Sequence, residues 1–325
     1  MTDRYRRQLR YLRVSVTDRC NLRCVYCVPG TPQPRLKHED ILRYEEILRI
    51  VRVGVKLGIA KVRVTGGEPL VRRGLVGFLK ELTAMEGLHE VTLTTNGVRL
   101  EEQIQEIRQA GIRRINVSLD TLKPTTFMRI TRRNRFRKVW AGIMAAYRAG
   151  FDPIKINVVV LEGINDGELA DLAGITRDYP FHVRFIEYMP IGHTGCDYGR
   201  QIFRDEILER IERLGALTPI PHQSLDGPAE RYRLAGARGE IGIISAISHN
   251  FCSYCNRLRL TASGQLRTCL LSDEAIDIIG PLRKGCSDRD LEQIFIQAAS
   301  RKQERHHLND ICRQSVDDRM SAIGG

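Results

Sequence analysis

The stretch Cys20-Asn21-Leu22-Arg23-Cys24-Val25-Tyr26-Cys27 constrains this chain more than any other. Three cysteines at the spacing C-x3-C-x2-C follow directly on a strand-like run, Leu12 to Thr17. Cysteine thiolates are the usual ligands of iron–sulfur clusters, commonly four to a cluster. Three from one tight loop leave one iron without a protein ligand, and chemistry on a metal needs such an open position. Two other readings stand beside this one: a structural zinc site short of a ligand, and three ordinary buried cysteines. Short zinc sites pair two cysteines with a second pair elsewhere. An aromatic residue before the last cysteine is no part of that pattern, so the spacing favours a cluster.

The chain has 325 residues, room for one large α/β domain or two smaller ones. Hydrophobic residues make up 42% and charged residues 28%, as in ordinary soluble globular proteins. No apolar run of about 18 residues occurs, so no membrane span is expected. Met1 to Arg10 is polar and basic, without the apolar core of a secretory signal, and the cytoplasm is the expected address. The nine cysteines come in tight groups, as metal ligands in a reducing compartment do. Six form two triplets: Cys20, Cys24, Cys27 and Cys252, Cys255, Cys269. Cys196, Cys286 and Cys312 stand alone and read as structural or incidental. The net charge of +12 favours an anionic partner. It is dispersed, with only short clusters such as Arg132 to Lys138, and gives no ground for nucleic-acid binding.

Apolar strands alternate with amphipathic helical segments, the signature of a parallel α/β sheet. Strands are expected at 12–17, 61–65, 90–95, 113–119, 154–160 and 182–187, and helices at about 40–57, 73–86, 100–110, 136–149, 166–178 and 203–214. Six β-α units in a row suggest an incomplete (β/α)6 barrel of the TIM type; an open doubly wound sheet is the alternative. After about Leu217 the pattern changes: Pro219, Pro221, Gly227 and Pro228 mark a connector. Short strands then follow near 231–234, 241–245 and 257–262, an extended run at 265–270, and a helix at 289–300. The division expected is 1–217 for the barrel and 218–325 for a C-terminal extension that carries the second triplet and covers the barrel opening.

Alternate residues of a strand face opposite sides. Arg13, Ser15 and Thr17 oppose Leu12, Val14 and Val16; Lys61, Arg63 and Thr65 oppose Val62 and Val64. Asn116 and Ser118 oppose Ile115 and Val117; Lys155 and Asn157 oppose Ile154 and Ile156. A closed barrel fills its interior with apolar layers. A polar face on four strands is better explained by an open barrel that holds a large polar ligand than by four solvated faces. By the same parity, Arg184 and Met189 serve one cavity only if the chain bends near Pro190.

The strand at 61–65 runs into Gly66-Gly67-Glu68-Pro69, where two glycines allow close approach of backbone to a ligand. With this turn beside the cysteine loop, the chain resembles the radical S-adenosylmethionine (SAM) superfamily. More narrowly it resembles the GTP 3',8-cyclase family of molybdenum cofactor biosynthesis. The segments that carry the likeness are SVTDRCNLRCVYC (15–27), KVRVTGGEPLVRR (61–73), TLTTNG (92–97), RRINVSLDTL (113–122), KINVVVLEGIND (155–166), VRFIEYMPIG (183–192), FCSYCNRLRL (251–260) and the final Gly324-Gly325. The first triplet identifies only the superfamily; the second triplet with its RLRL strand is far more specific. The pattern is departed from at Cys196, where a tryptophan-like residue is common, and over 271–288.

The resemblance implies that Cys20, Cys24 and Cys27 hold a [4Fe-4S] cluster whose open iron is chelated by SAM. It places Tyr26, Gly67, Ser118 and Met189 at SAM, with Glu68 at its ammonium group. It implies a second [4Fe-4S] cluster on Cys252, Cys255 and Cys269, where spacing alone leaves a three-cysteine zinc site open, with His249 nearby. It assigns GTP to Arg13, Arg63, Thr94, Lys155, Arg257 and Arg259. Arg184 is a further candidate for the triphosphate and Lys61 for the polar cavity. Arg257 and Arg259 are two apart on a strand and share a face, as paired forks for phosphate or purine would. The implied catalytic set is Arg257, Arg259, Gly324 and Gly325, the two glycines entering the site as a tail without side chains. Read without the resemblance, that tail is a frayed end. The implied reaction abstracts hydrogen from ribose C3' and joins that carbon to guanine C8. The implied partners are an electron donor, a reductase or flavodoxin-like protein, and cyclic pyranopterin monophosphate synthase. A homodimer is left open, since no motif encodes it.

Two rivals share part of the pattern. Another radical SAM enzyme, a peptide-modifying maturase or an RNA modifier, would carry more C-terminal cysteines or a basic domain with interleaved aromatics. Aromatics here are only 6% and are not clustered with basic residues. The second rival is a zinc-stapled nucleic-acid-binding protein.

Overall fold

The structure is a computed structural model that describes residues 1–28, 35–192, 201–221, 227–306, 308, 316 and 320–324. In chain order it runs β1 (Tyr11–Ser15), α1 (Tyr44–Lys56), β2 (Lys61–Thr65), α2 (Leu75–Thr83), β3 (Glu90–Thr95), α3 (Leu100–Gln109), β4 (Ile115–Ser118), α4 (Pro124–Thr131) and α5 (Phe136–Arg148). It continues with β5 (Ile154–Val160), α6 (Leu169–Asp178), β6 (His182–Glu187) and α7 (Arg204–Glu212). The C-terminal segment adds β7 (Leu217–Ile220), β8 (Glu230–Leu234), β9 (Glu240–Ile244), β10 (Arg257–Leu260), β11 (Gln265–Arg267), β12 (Ala275–Asp277), α8 (Ile279–Arg283), α9 (Asp288–Arg301) and α10 (Met320–Ile323).

All strands join one sheet in the order β12-β11-β10-β1-β2-β3-β4-β5-β6-β9-β8-β7. Strands β1 to β6 are parallel, β10 pairs parallel with β1, and β9 pairs parallel with β6. The end strands β12 and β7 do not pair with each other, so the barrel stays open. The C-terminal segment extends both edges of the sheet: β9, β8 and β7 continue it beyond β6, and β10, β11 and β12 beyond β1.

Sequence pattern explains this build. In β5, Ile154, Ile156, Val158 and Val160 are buried while Lys155, Asn157 and Val159 are half-buried on the opposite face. The apolar faces of β1 to β6 and helices α1 to α6 merge into one core that includes Leu12, Val14, Ile47, Val51, Val62, Phe78, Ile104, Ile143 and Leu172. In α1, Gly54 permits a tight contact with α9, since a Cβ there would lie 3.3 Å from Phe295 Cζ. Ser287 caps α9 by accepting from the Asp290 N–H, while Asp290 accepts from the Ser287 N–H.

Among the elements that escape the sequence pattern are α4, β7, β12 and α8. Helix α4 is short and rich in threonine, which favours other conformations; its one signal is Pro124 at the first helical position. Strand β7 contains Pro219, which the sequence reading takes as a connector. Proline is tolerated because β7 is an outermost strand. Strand β12 is only three residues long. No helix among the described residues is long and apolar enough to cross a membrane.

Candidate active site

The cysteine loop leaves the end of β1 and is held from three sides. At its start, Gly67 N–H donates to Thr17 O at 2.6 Å and Glu68 N–H to Arg19 O at 2.8 Å. At its far end, Arg23 N–H donates to Thr131 O at 3.0 Å and Val25 N–H to Ile130 O at 2.9 Å. These acceptors are the last carbonyls of α4, groups that a helix end leaves without partners of its own. Between them, Asn96 Nδ2 reaches Asn21 Oδ1 at 2.7 Å and the Cys20 sulfur at 3.6 Å. Tyr26 donates its hydroxyl to Asp120 Oδ2 at 2.8 Å, and Asp120 Oδ1 accepts from Val159 N–H at 2.8 Å. Burial pushes the Cys20 thiol up to about 11 and Cys24 well above its ordinary value. A cationic metal centre is what would turn such thiols into thiolates.

A cavity of about 1060 Å³ runs from this loop along the inner face of the sheet. All six triplet cysteines line it, as do Tyr26, Gly67, Ser118, Met189, Arg13, Arg63, Thr94, Lys155, Arg184, Arg257 and Arg259. Register explains why. Arg13 lies opposite Arg63 on one side and Arg259 on the other, and Arg259 lies opposite Arg267. Thr94 pairs with Asn116, which pairs with Lys155, which pairs with His182. Strand β6 ends at Glu187, so alternation no longer governs Met189, and Arg184 and Met189 reach the same cavity. Arg184 sits against Gly242, where a Cβ would come within 3.1 Å of its Cγ.

The electrostatics are one-sided. Among the described residues, ten lysines and arginines line the cavity against four carboxylates, Glu90, Asp120, Asp152 and Glu187. Burial, aided by Arg184 and Arg63, pulls Lys155 down to about 6. Burial and neighbouring cations bring Arg259 down to about 10 and lower Arg13 well below its ordinary value. Burial and Lys155 bring His182 down to about 3. Tyr11 Oη, Arg13 Nε, Thr94 Oγ1, Asn157 Oδ1 and Thr268 Oγ1 are buried there without a hydrogen-bond partner among the described residues. Buried polar atoms are normally satisfied, so these point to an anionic, hydrogen-bonding ligand.

At the other end of the cavity, Cys252 and Cys255 sit on a 3-10 turn and its cap, with Cys255 N–H donating to Cys252 O at 3.2 Å. Cys269 follows β11. Burial raises the Cys255 thiol, but Lys302 and Arg257 outweigh it and hold it below its ordinary value. Gly324 is buried beside this end, and Arg259 Nη1 donates to its carbonyl oxygen at 3.0 Å. Its φ of +84° suits glycine, and a Cβ there would lie 2.8 Å from Ser15 Cβ. Gly325, Cys196 and Cys312 lie outside the described residues.

The glycines of the GGEP turn line the cavity and also fit closely against protein: a Cβ on Gly66 would lie 2.7 Å from Thr17 O, and one on Gly67 2.5 Å from Arg19 O. They let the turn grip the cysteine loop. Glu68 does not line the cavity. Its buried carboxylate accepts from Leu70 N–H at 3.0 Å, Thr95 Oγ1 at 2.7 Å and Asn96 N–H at 2.6 Å. Burial still lifts it to about 7 against those hydrogen bonds. The sequence reading also passed over Tyr11, whose ring has Lys61, Arg63 and Arg257 at 5.4, 5.6 and 5.8 Å. Asp120 and Glu187 were missed as well. Glu187 accepts from the backbone N–H groups of Arg204, Ile247 and Ser248 at 2.9 to 3.0 Å.

Grouped thiols are the donor set of iron–sulfur clusters, and three of them leave one iron open. Among the described residues, no group of three or more His, Cys, Asp or Glu is arranged to hold a metal ion. Residues 14–174 match the family model described as Radical SAM superfamily, and residues 181–308 the one described as Molybdenum Cofactor Synthesis C. In overall fold the chain is similar to Streptococcus suis SuiB bound to S-adenosylmethionine, with a TM-score of 0.60 at 14% identity over 96% of this chain and 77% of that one. It is similar also to native anSMEcpe with bound AdoMet, at 0.59 and 15% over 91% and 82%. Its sequence is 49% identical to the GTP 3',8-cyclase of Moorella thermoacetica over 325 residues, all of both chains. It is 47% identical over 330 residues to that of Heliobacterium modesticaldum, again end to end. Likeness of that degree over the full length, on a fold shared with radical SAM enzymes, means that the chain belongs to the GTP 3',8-cyclase family of the radical SAM superfamily.

Proposed function

We propose that this chain is a radical SAM enzyme that converts GTP to 3',8-cyclo-7,8-dihydroguanosine 5'-triphosphate, the first step of molybdenum cofactor biosynthesis. One observation carries the reading: two cysteine triplets line one cavity, and in the wall of that cavity cations outnumber carboxylates. In this reading Cys20, Cys24 and Cys27 hold a [4Fe-4S] cluster with SAM beside Tyr26, Gly67, Ser118 and Met189. Cys252, Cys255 and Cys269 hold a second [4Fe-4S] cluster, which receives the guanine base. Bound SAM supplies on reduction a 5'-deoxyadenosyl radical, the agent for hydrogen removal at ribose C3'.

The protein's own residues bind, orient and shield. Arg13, Arg63, Lys155, Arg184 and Thr94 take the triphosphate, whose charge repays the repulsion among them. Arg257, beside the Tyr11 ring, and Arg259, hydrogen-bonded to Gly324 O, fix the nucleoside between the two triplets. Rigid placement brings C3' and C8 within bonding reach and keeps a reactive carbon away from water. Gly324 closes that side with backbone alone. The barrel, 1–217, makes the radical and takes the triphosphate, and 218–325 holds the nucleoside. An electron donor of reductase or flavodoxin-like type and cyclic pyranopterin monophosphate synthase act before and after this step.

Anaerobic reconstitution followed by incubation with GTP, SAM and a reductant tests the reading. About eight irons per chain are expected, on the four-iron type for each triplet, together with 5'-deoxyadenosine and a cyclised GTP. Deoxyadenosine with unchanged GTP would keep the radical SAM assignment and reject the substrate. Zinc at stoichiometric level without iron would reject both. Cys252→Ala is expected to keep SAM binding and lose GTP turnover; equal loss of SAM binding contradicts the division of labour.

A further inference from the structure

Lys302 follows directly on α9 and is 3% exposed. Its Nζ donates to Arg257 O at 3.0 Å and to Thr268 O at 2.6 Å. Arg257 lies just beyond Cys255, and Thr268 just before Cys269, so one ammonium group ties together the stretches that carry two cysteines of the second triplet. The third is held from the N-terminal segment. Arg7 Nη1 donates to Cys252 O at 2.6 Å, and the His306 backbone N–H donates to the Cys252 sulfur. Arg7 also holds the carbonyls of Gln303 and Glu304, the two residues after Lys302.

The two cations differ in one respect. Arg7 is neutralised by Asp3, at 2.6 Å. Lys302 has only carbonyl acceptors and forms no ion pair with a described residue. A buried ammonium group without a counter-charge is strongly disfavoured. Three thiolates closing on a cluster would supply that counter-charge beside it. Cluster potentials respond to nearby charge and to the shell behind the ligands.

We propose that Lys302 is the buried counter-cation of the cluster held by Cys252, Cys255 and Cys269, and that its charge raises the reduction potential of that cluster. Lys302 is thus a positioning residue and not a ligand. The proposal rests on the second-cluster reading above. The test uses the full chain with Cys20, Cys24 and Cys27 replaced by Ala, so that iron is held only at the second triplet. Iron content, the EPR spectrum of the reduced state and the midpoint potential are measured for this parent and for Lys302→Met and Lys302→Arg within it. The parent is expected to hold about four irons. Lys302→Met is expected to shift the midpoint negative, leaving the cluster about tenfold less reduced at a fixed applied potential. Lys302→Arg is expected to restore the parent value. Loss of iron in Lys302→Met that Lys302→Arg rescues also supports the counter-cation. Loss of iron in both variants overturns it, since shape rather than charge would then hold the site. Equal potentials and spectra in parent and Lys302→Met overturn it as well. A parent without iron overturns the second-cluster reading and the proposal with it.

Discussion

Lys155 stands among Arg184, Arg63 and Lys61 in a cavity with few carboxylates, and burial with those neighbours brings it down to about 6. Above that pH the empty protein holds it mostly neutral. A polyphosphate restores the missing counter-charge and raises the lysine again. GTP binding at about pH 7.5 is therefore expected to take up a proton, and affinity to fall as pH rises through the value that the lysine has in the complex. Titration calorimetry in buffers of different ionisation enthalpy reads the uptake; the same uptake in Lys155→Met would reject this origin. For the empty protein the sign is opposite. The unfolded lysine keeps its proton to higher pH than the folded one, so stability rises with pH between about 6 and the ordinary lysine value. Glu68 gives a second residue-scale prediction. Glu68→Ala strands the Asn96 N–H and the Thr95 hydroxyl in a buried place. It is expected to cost about 2–3 kcal/mol and to lower iron retention at the first triplet, because Asn96 touches Cys20. Full iron retention in a destabilised variant would separate Glu68 from the cluster loop.

Strand alternation made most of the inner wall legible, and its failures have local causes. The strand expected from Leu12 in fact begins at Tyr11. One residue more would have put Tyr11 on the polar face with Arg13 and Ser15. Helix α4 stayed hidden because Thr125, Thr126 and Thr131 are poor helix formers, yet its last carbonyls anchor the cysteine loop. Strand β7 was masked by Pro219, which only an outermost strand accommodates. The role of Glu68 was not legible, because an acid at a strand end reads alike whether it faces a ligand or the next strand. The tail segment gives an element-scale prediction. Gly324→Ala meets Ser15 at 2.8 Å from a left-handed backbone. It is expected to lower turnover about tenfold, from strain of one to a few kcal/mol, with iron content and SAM cleavage unchanged. Unaltered turnover would remove the tail from the working site.

For the whole molecule, the two family matches and the two triplets suggest two units, but the backbone makes one sheet of them. Alternation tells which face of a strand is polar and is silent about which strand lies beside it. For that reason the docking of β9 on β6 and β10 on β1 could not be read from the sequence. Residues 1–217 alone would expose two long unpaired edges, β1 and β6, a recipe for aggregation. The full chain is expected to unfold in a single cooperative step by denaturant, and the 1–217 fragment to be insoluble or to exchange its β1 and β6 amides rapidly. A soluble, well-protected fragment would show that the barrel segment stands by itself. The place of β1 also bears on when iron can be installed. Arg13 borders Arg63 on one side and Arg259 on the other, and a ribosome releases the second neighbour long after the first. For most of synthesis the cysteine loop hangs from a strand with one flank bare, open to oxygen and to stray metal. Long-range pairings of this kind form late in folding. Iron delivered after release of the chain meets a walled chamber, so maturation after translation is the order that this architecture favours.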